Sequence, residues 1–449
     1  MRELTCYVFR SSSVMKTQRG PSGFAKEMIM SRLPNTAAVA AVVLGAAVVG
    51  QGHSIAYVDP AVDEVTRAGR GPVKLYVPDG YDPLHPAPLL LALHGAGGRG
   101  EELAGIASMV DEKGFLYAHP DGGCPSGSGL RWCYPEIRPP DDPAYLRALI
   151  EAIAAQYSVN PNRVFIYGIS SGGMMAYSMA CRYADVITAI AVFTGRIRET
   201  ECRPGDPVHV LHIHGTMDTL IYQLPWLATT PYNLWFWAES NGCAPTCEGA
   251  RPGCADTADD PCDASLGRLD LVAALPGEET VITRWAEGCA TTGVVELWAV
   301  LGAGHPGVDP KWTTSDYELL RRLAVNWLLA HPADCNRNGK PDDEDIADGT
   351  SRDCNGNLIP DECEPGGVEV AKADFNRDCH VDMTDFWVFE ACANGPTLPY
   401  ASGCALIPDG EGFIAADFDG DRDVDQNDFG VFQRCYSGPG QPADPDCTE

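Results

Sequence analysis

Basic residues are scarce in this sequence. Its 449 residues include 32 Lys and Arg against 62 Asp and Glu, which gives a formal net charge of −30. Binding to nucleic acid needs a basic patch, and none is visible, so we expect no nucleic-acid partner. The imbalance is greatest at the end of the chain, where residues 331–449 contain 27 acidic and 7 basic side chains. Acidic residues gathered in this way form either a solvated tail or a set of cation ligands.

Long hydrophobic runs are also missing. The longest, at residues 37–50, is shorter than the roughly 20 residues that a membrane-spanning helix needs. It follows Arg32 and precedes the small residues Ser54 and Ala56, which is the order of a signal peptide. We therefore expect residues 1–56 to be a leader, with the true start at Met28 or Met30, and no membrane span in the mature chain. An N-terminal membrane anchor is the alternative.

The sequence contains no Cys-x-x-Cys pair among its 18 cysteines. This absence disfavours zinc and redox motifs and favours disulfides, which form in an oxidising compartment. We therefore expect a secreted, extracellular protein. Nine cysteines lie between Cys124 and Cys289. That odd number predicts a free thiol or an unusual pairing there.

Short apolar runs alternate with helix-like segments before residue 332. The strand-like runs are rich in β-branched and aromatic residues, and they are Val73–Pro78, Leu89–Gly95, Val164–Gly168, Ile187–Gly195, Val208–Gly215 and Val294–Gly302. Apolar residues recur at helical spacing in Asp141–Tyr157, Gly172–Ala184 and Ser315–Pro332. The alternation predicts an α/β fold with a mostly parallel sheet and helices on both faces. We expect this domain to span residues 57–331.

A candidate nucleophile follows one of these strands. The segment Gly168-Ile169-Ser170-Ser171-Gly172 has the pattern G-x-S-x-G at a strand-to-helix turn. Such a turn lifts the serine hydroxyl out of the sheet, and the helix N-terminus stabilises negative charge. The alternative is a glycine-rich turn without chemistry.

A serine hydroxyl needs a base and an orienting acid, which this kind of fold supplies in the chain order Ser, Asp, His. Asp218 follows the strand Val208–Gly215, and His305 stands in the glycine-rich loop after the strand Val294–Gly302. They are our candidate acid and base for Ser170. His119 is the competing base, and Asp121 and Asp185 are the competing acids.

The intermediate of acyl transfer needs hydrogen-bond donors for its oxyanion. Donors are expected from the loop after the strand Leu89–Gly95 and from the residue after the nucleophile, which gives His94, Gly95, Ala96, Gly97 and Ser171. For His94 the alternative is a purely structural role in bracing the loop.

The acidic tail contains two duplications. DCNRNGKPDDED at Asp334 is followed 19 residues later by DCNGNLIPDECE, and ADFNRDCHVDMTDFWVFEAC recurs after 43 residues as ADFDGDRDVDQNDFGVFQRC. Oxygen-bearing side chains recur in the register of a calcium loop. The candidate ligands are Asp334, Asn336, Asn338, Asp342, Asp345, Asp353, Asn355, Asn357, Asp361, Asp374, Asn376, Asp378, Asp382, Asp385, Asp417, Asp419, Asp421, Asp425 and Asp428. An acidic, disulfide-linked spacer without metal is the alternative.

The first part of the chain resembles the polyhydroxybutyrate depolymerase and feruloyl esterase-like family of secreted α/β-hydrolases. The matching segments include LYVPDGYDP, PLLLALHGAGG, RWCY, NPNRVFIYGISSGGMMAYSMAC, HIHGTMD and GAGH. The resemblance implies an α/β-hydrolase fold, ester hydrolysis without a catalytic cofactor, triad positions at Ser170, Asp218 and His305, and a disulfide between Cys243 and Cys289. His305 is followed by Pro306-Gly307 instead of the family's usual Thr-Trp-Pro, so the substrate stays open.

The tail resembles two kinds of calcium-binding module. Residues 332–366 are similar to thrombospondin type 3 repeats, and residues 367–449 are similar to a dockerin, although Cys379 and Arg422 replace the glycine usual at loop position 6. The resemblance implies structural calcium, small disulfide-linked repeats, and docking to a cohesin-like or cell-surface protein.

The leading hypothesis is a secreted serine esterase that acts through an acyl-enzyme. Its ester substrate can be polymeric, namely a polyhydroxyalkanoate or a feruloylated or acetylated polysaccharide. Two alternatives stay open: a secreted peptidase of the same fold, and an inactive, calcium-dependent binding or scaffold protein.

Overall fold

A ten-stranded sheet forms the centre of the protein in a computed structural model. The structure describes residues 53–134, 136–197, 202, 204–221, 230–243, 265–285, 293–336, 338–364 and 371–448. The strands are β1 (Ser54–Val58), β2 (Val73–Val77), β3 (Ala87–Leu93), β4 (Leu116–Ala118), β5 (Cys124–Ser126), β6 (Gly129–Arg131), β7 (Val159–Ile169), β8 (Ala189–Phe193), β9 (His209–Gly215), β10 (Ser265–Leu269), β11 (Thr280–Trp285) and β12 (Val295–Val300). Strands β5 and β6 form a separate two-stranded sheet.

The strand order of the large sheet is β1-β2-β4-β3-β7-β8-β9-β12-β11-β10. Neighbours from β4 to β12 in this order are parallel, and the strands at both edges are antiparallel. All six predicted strands are present, and the expectation of a mostly parallel sheet is confirmed.

Helices cover both faces of the sheet, as predicted. The helices are α1 (Glu64–Arg67), α2 (Val110–Lys113), α3 (Asp142–Ala154), α4 (Ser171–Arg182), α5 (Thr230–Ser240), α6 (Thr314–Leu329), α7 (Asp342–Asp348), α8 (Met383–Cys392) and α9 (Gln426–Cys435), with 3₁₀ turns at Gly100–Met109 and Asp361–Cys363. Side chains of β7 alternate between two buried cores: Val164 and Ile166 face the core that α3 and α4 cover, and Phe165 and Tyr167 face the core that α6 covers. A central parallel strand is thus buried on both faces.

The edges of the sheet differ from the sequence prediction. Strand β1 pairs residue by residue with β2, from Ser54 opposite Val77 to Val58 opposite Val73. The predicted leader boundary at residue 56 falls inside this strand, and residues 1–52 lie outside the described residues. Strands β10 and β11 were not predicted, because their polar residues interrupt the apolar pattern.

The duplicated tail has a small core of its own, in which Phe389 of α8 packs against Phe432 of α9. A disulfide between Cys354 and Cys379 crosses the predicted boundary between residues 366 and 367. The two tail modules are therefore covalently joined.

The first tail repeat contacts the start of β7. Asp343 accepts hydrogen bonds from Arg163 Nε at 2.6 Å and from Asn160 Nδ2 at 2.8 Å, and Ala333 N donates to Asn162 O at 3.0 Å. Ser170 follows the opposite end of the same strand. The repeat therefore lies away from the candidate nucleophile.

Six disulfides lie within the described residues: Cys124–Cys133, Cys181–Cys202, Cys335–Cys363, Cys354–Cys379, Cys392–Cys404 and Cys435–Cys447. Cys243 is also disulfide-bonded. Its predicted partner Cys289 lies outside the described residues, and so do Cys247, Cys254 and Cys262. Among the described helices, none combines the length and the apolar character needed to cross a membrane.

Candidate active site

Ser170 lies at a strained turn between β7 and α4. Its backbone has φ 53° and ψ −112°, a conformation that non-glycine residues rarely adopt. The flanking glycines are required by space: a Cβ on Gly168 would lie 2.3 Å from Gly172 O, and a Cβ on Gly172 would lie 2.0 Å from Leu93 O. The turn therefore holds the serine hydroxyl at the carboxyl end of the sheet.

The structure brings Ser170, His305 and Asp218 together. His305 Nε2 lies 3.1 Å from Ser170 Oγ, and His305 Nδ1 lies 2.7 Å from Asp218 Oδ2. Asp218 follows β9 and His305 follows β12. Because these two strands are parallel neighbours, the loops after them meet at the carboxyl end of the sheet. His305 can therefore take the serine proton at Nε2 while Asp218 fixes its Nδ1–H tautomer.

The competing residues have other partners. His119 Nε2 lies 3.2 Å from Tyr76 OH in the core, and Asp121 accepts hydrogen bonds from Gly100 N and Arg99. Asp185 pairs with Arg147 on the surface. None of these contacts involves Ser170 or His305.

Asp218 is buried, and two backbone N–H groups and two imidazole nitrogens face its carboxylate. The backbone N–H groups of Leu220 and Ile221 donate to its Oδ1 at 2.8 and 3.2 Å. Its Oδ2 faces His305 Nδ1 and also His214 Nε2, at 3.2 Å. Burial by itself raises the pKa of Asp218, but the contacts with His214 and His305 outweigh it and hold the pKa below its ordinary value. The carboxylate therefore stays ionised beside the imidazole.

The predicted oxyanion loop needs one correction. Gly97 N–H already donates to Leu130 O at 2.8 Å, so it does not face an oxyanion. Among the described residues, no acceptor is found for the backbone N–H groups of Ala96 and Ser171, and both residues line the cavity beside Ser170. These two groups are the best-placed donors. Gly95 lies beside them, since a Cβ added to it would be 3.6 Å from Ser170 Cβ.

The ring of His94 braces the loop, which is the structural alternative for this residue. Its Nε2 accepts a hydrogen bond from Gly122 N at 2.9 Å, so its Nδ1 carries the proton and donates to Gly95 O at 2.8 Å. Trp132 Nε1 donates to His94 O at 2.9 Å. Burial lowers the pKa of His94, which keeps the ring neutral.

A cavity of about 400 Å³ opens beside Ser170. Its wall includes the apolar side chains Trp132, Ile137, Met174 and Leu220. Pockets of this size and character hold small organic ligands. The arrangement can therefore present an apolar group of a substrate to the serine hydroxyl.

One wall of this cavity is held by a buried ion pair that sequence reasoning missed. Asp142 lies at the start of α3, pairs with Arg70 Nη1 at 2.7 Å, and accepts hydrogen bonds from Gly123 N and Cys133 N. Burial raises the pKa of Asp142, and Arg70 opposes that rise. The pair fixes both ends of the disulfide-closed loop that carries Trp132. No local pattern indicates the pair, because Arg70 and Asp142 are far apart along the chain.

The tail places most candidate metal ligands in oxygen-rich loops. Asp374, Asp378 and Asp385 present carboxylate oxygens within 4.8 Å of one another, and so do Asp417, Asp419 and Asp421. Asp382 and Asp425 cap the helices α8 and α9. Cys379 and Arg422, at loop position 6, adopt φ 71° and φ 76°, the conformation for which glycine is usual. The fourth loop also brings in Asp423, which was not predicted and groups with Asp425 and Asp428.

Side-chain amides form hydrogen bonds within the first two tail repeats, which begin at Asp334 and Asp353. Asn336 and Asn338 donate to Asp345 Oδ2 at 3.1 and 2.6 Å, and Asn355 and Asn357 donate to Glu364. The aspartates that begin the two loops accept hydrogen bonds from backbone N–H groups of their own loops: Asp334 from Gly339, and Asp353 from Asn357 and Leu358. Asp342 accepts from Cys335 N, and Asp361 accepts from Cys354 N. Glu364 was missing from the predicted ligands, although it stands at position 12 of its loop. Burial raises the pKa of Asp342 to about 6.

The sheet order, the turn at Ser170 and the meeting of Ser170, His305 and Asp218 define an α/β-hydrolase. Residues 72–203 match the family model described as Esterase PHB depolymerase. This match includes Ser170 and the loop after β3, and it ends before Asp218.

The relatives of this chain include proteins named as feruloyl and acetylxylan esterases. A feruloyl esterase C of Emericella nidulans is 31% identical over 38% of this chain and 62% of its own length. A bifunctional acetylxylan esterase/xylanase of Neocallimastix patriciarum is 28% identical over 34% of this chain and 22% of its own length. The chain therefore spans less than two thirds of the length of these relatives. An acetyl xylan esterase structure from Aspergillus awamori is similar over 60% of this chain and 99% of its own, with a TM-score of 0.40 at 17% identity, a level that does not bear on activity.

Proposed function

We propose that this protein is a secreted carboxylic-ester hydrolase that works through an acyl-enzyme on Ser170. The observation that carries the proposal is the contact of His305 with Ser170 Oγ on one side and with Asp218 on the other. The esterase family match over residues 72–203 supports the ester as the substrate class. No catalytic cofactor is part of the proposal.

The proposed reaction begins when His305 Nε2 takes the proton of Ser170 Oγ and the oxygen attacks the ester carbonyl carbon. The carbonyl oxygen becomes an oxyanion, which the N–H groups of Ala96 and Ser171 stabilise, and the position of Ser171 at the N-terminus of α4 adds to this effect. His305 then gives the proton to the departing alkoxide, and the acyl group stays on Ser170. Water, deprotonated by His305, then attacks the carbonyl carbon of the acyl-enzyme. The bond from this carbon to Ser170 Oγ breaks, His305 returns the proton to that oxygen, and the acid is released.

The cavity beside Ser170 supports an ester with an apolar acyl group. Trp132, Ile137, Met174 and Leu220 offer a ring face and aliphatic surface to such a group. Within the predicted classes, this wall favours feruloyl and hydroxyalkanoyl esters over acetyl esters, which would leave the apolar surface unused.

A substrate panel tests this proposal. The protein is assayed with methyl ferulate, a polyhydroxybutyrate film, acetylated xylan and a peptide of similar length, with Ser170→Ala as the control for each. We expect ester hydrolysis that depends on Ser170, with kcat/KM higher for methyl ferulate than for a matched acetyl ester. Turnover of the peptide alone would favour the peptidase alternative, and no Ser170-dependent turnover of any substrate would contradict the proposal.

We also propose that the tail binds structural calcium. Hard cations such as Ca²⁺ take six to eight oxygen ligands, and the loops around Asp374 and Asp417 gather carboxylates that repel one another without a cation. Asp423 Oδ1 is buried and lacks a hydrogen-bond partner among the described residues, which fits a metal ligand. The cysteines near Asp342 and Asp361 are in disulfides, so these groups offer oxygen rather than thiolate.

The docking of the tail to a cohesin-like or cell-surface protein stays a prediction. It rests on the resemblance of residues 367–449 to a dockerin and on the pair of helices α8 and α9 that follow the duplicated loops. Calcium-dependent binding of the purified protein to an immobilised cohesin, lost in an Asp374→Asn and Asp417→Asn double variant, would support it.

A further inference from the structure

Two buried histidines lie behind the candidate triad and have no part in the mechanism above. His212 and His214 are both fully buried in β9, with stacked rings 5.2 Å apart, and His212 Nε2 lies 3.0 Å from His214 Nδ1. His214 Nε2 lies 3.2 Å from Asp218 Oδ2. At the far end, Tyr177 OH of α4 lies 2.7 Å from His212 Nδ1. A continuous line of polar contacts therefore runs from the core to the carboxylate that contacts His305.

The positions of the protons along this line follow from its ends. An ionised carboxylate only accepts, so the nitrogen of His214 that faces Asp218 carries a proton. Burial lowers the pKa of His214 and lowers that of His212 further below its ordinary range, so both rings are neutral and each carries a single proton. His214 Nδ1 then accepts from His212 Nε2–H, and His212 Nδ1 accepts from the hydroxyl of Tyr177. Every proton of the line is thus oriented toward Asp218, with His214 Nε2–H facing its Oδ2 at 3.2 Å.

We propose that His214 is a positioning residue for Asp218, held in its Nε2–H tautomer by hydrogen bonds that begin at Tyr177. This inference rests on the proposed function, because it assigns His214 a role in the same triad. His214 shares Asp218 Oδ2 with His305, so it sets both the direction of the carboxylate and the negative charge that His305 experiences. The titratable partners of this carboxylate are His305 from the loop after β12 and His214 from β9, with His212 behind His214.

The role has a consequence for the pH dependence of turnover. The N–H of His214 withdraws negative charge from Asp218. Without that donor, the carboxylate attracts the proton on His305 more strongly and stabilises the inactive imidazolium form. The acid limb of kcat/KM therefore moves to higher pH, whereas a variant with only a structural defect lowers the amount of active enzyme and leaves the limb in place.

The experiment compares the wild type with Tyr177→Phe, His214→Leu and His214→Gln, using pH profiles on a nitrophenyl ester. Since hydrogen bonds to charged groups are the strong ones, His214→Leu is expected to lower kcat about ten-fold or more, with KM within about two-fold. Its acid limb moves to higher pH. His214→Gln, which can donate to Asp218, restores part of the rate, and Tyr177→Phe gives a smaller shift in the same direction. His209→Gln is the matched control, because His209 is buried in the same strand but contacts Pro332 O and Val294 N.

A second readout does not depend on turnover. The proton between His305 Nδ1 and Asp218 gives a low-field resonance in proton NMR of the folded protein. The chemical shift of this resonance is expected to change in Tyr177→Phe, which keeps the ring and removes a single hydroxyl. It is expected to be unchanged in His209→Gln. Unchanged resonance and pH profile in Tyr177→Phe and His214→Leu would overturn the role of His214. A wild type with no ester hydrolysis would contradict the proposed function, and the resonance would still decide the positioning role.

Discussion

His305 Nε2 lies 3.1 Å from Ser170 Oγ, although 135 positions separate the two residues in the sequence. The contact forms because β7 and β12 are parallel and both end at the carboxyl end of the sheet, with β8 and β9 between them. The turn before α4 places Ser170 there, and the loop after β12 places His305 there.

Replacement of the base is expected to separate the two candidate histidines. His305→Gln removes the proton acceptor for Ser170 and should lower kcat by at least about 10³-fold. The kcat of His119→Gln should stay close to that of the wild type, because His119 contacts Tyr76 in the core. Steady-state rates on a nitrophenyl ester check both variants. Loss of activity in His119→Gln, with the fold intact, would reverse the assignment.

Asp218→Asn is expected to lower kcat on the order of 10⁴-fold while the fold persists. The amide can no longer act as a carboxylate for both His305 Nδ1 and His214 Nε2, so the imidazole loses its required tautomer. Circular dichroism checks the fold, and Asp185→Asn is the matched control, since Asp185 pairs with Arg147 on the surface. Equal activity of the two variants would speak against Asp218 as the acid.

The Arg70–Asp142 pair is expected to stabilise the wall of the cavity. Asp142→Asn leaves a buried guanidinium without its partner and should lower the free energy of unfolding by about 3–5 kcal/mol. Because Asp142 also fixes the loop that carries Trp132, KM for an aromatic ester should rise more than kcat falls. Urea unfolding and substrate titration measure the two effects. A stable variant with unchanged KM would show that the loop holds Trp132 without the pair.

Buried histidines are expected to make the protein less stable in acid. Burial, with the neighbouring His331, lowers the pKa of His209 from 6.5 to about 3. Between these pH values the unfolded chain binds a proton at His209 and the folded chain does not, so the free energy of unfolding falls as the pH drops. The slope for one such group is about 1.4 kcal/mol per pH unit. Urea unfolding at pH 7 and pH 5 should show a smaller difference for His209→Gln than for the wild type; an equal difference would exclude this contribution.

Removal of calcium is expected to destabilise the tail and to leave the ester chemistry intact. Bound calcium at 100 times its dissociation constant stabilises a fold by about 2.7 kcal/mol, which excess EDTA should abolish. The repeats contact the start of β7, at the opposite end of that strand from Ser170, so kcat should change less than about two-fold. Calorimetry with and without EDTA measures the first effect, and an Asp374→Asn and Asp417→Asn variant, which keeps the loops at Asp334 and Asp353, should show a smaller calcium response than the wild type. A calcium-independent melting profile in the wild type would contradict the metal sites.

Much of the fold could be predicted because its signals are local. Strands such as Leu89–Gly95 and Val164–Gly168 are continuous apolar runs that end in glycine, and buried parallel strands produce this pattern. The turn at Ser170 could be predicted because a side chain at Gly168 or Gly172 would clash with the backbone, so both positions need glycine. Strand β1 was missed because most of its residues are exposed and it follows an apolar leader.

The parts that could not be predicted depend on long-range packing. Gly97 belongs to the expected oxyanion loop, but Leu130 from a distant strand takes its N–H. Arg70 and Asp142 meet only in the folded protein, and so do Tyr177 and His212. No sequence signal shows that His214 faces Asp218.

Covalent labelling of Ser170 is the direct test of its role as the nucleophile. The protein is treated with a fluorophosphonate probe, and the modified residue is identified by peptide mass spectrometry, in parallel with hydrolysis of a short-chain nitrophenyl ester. We predict one label per chain on Ser170, complete loss of hydrolysis when it is attached, and neither labelling nor hydrolysis in Ser170→Ala. Full hydrolysis by Ser170→Ala, or labelling of another residue with Ser170 unmodified, would contradict the account.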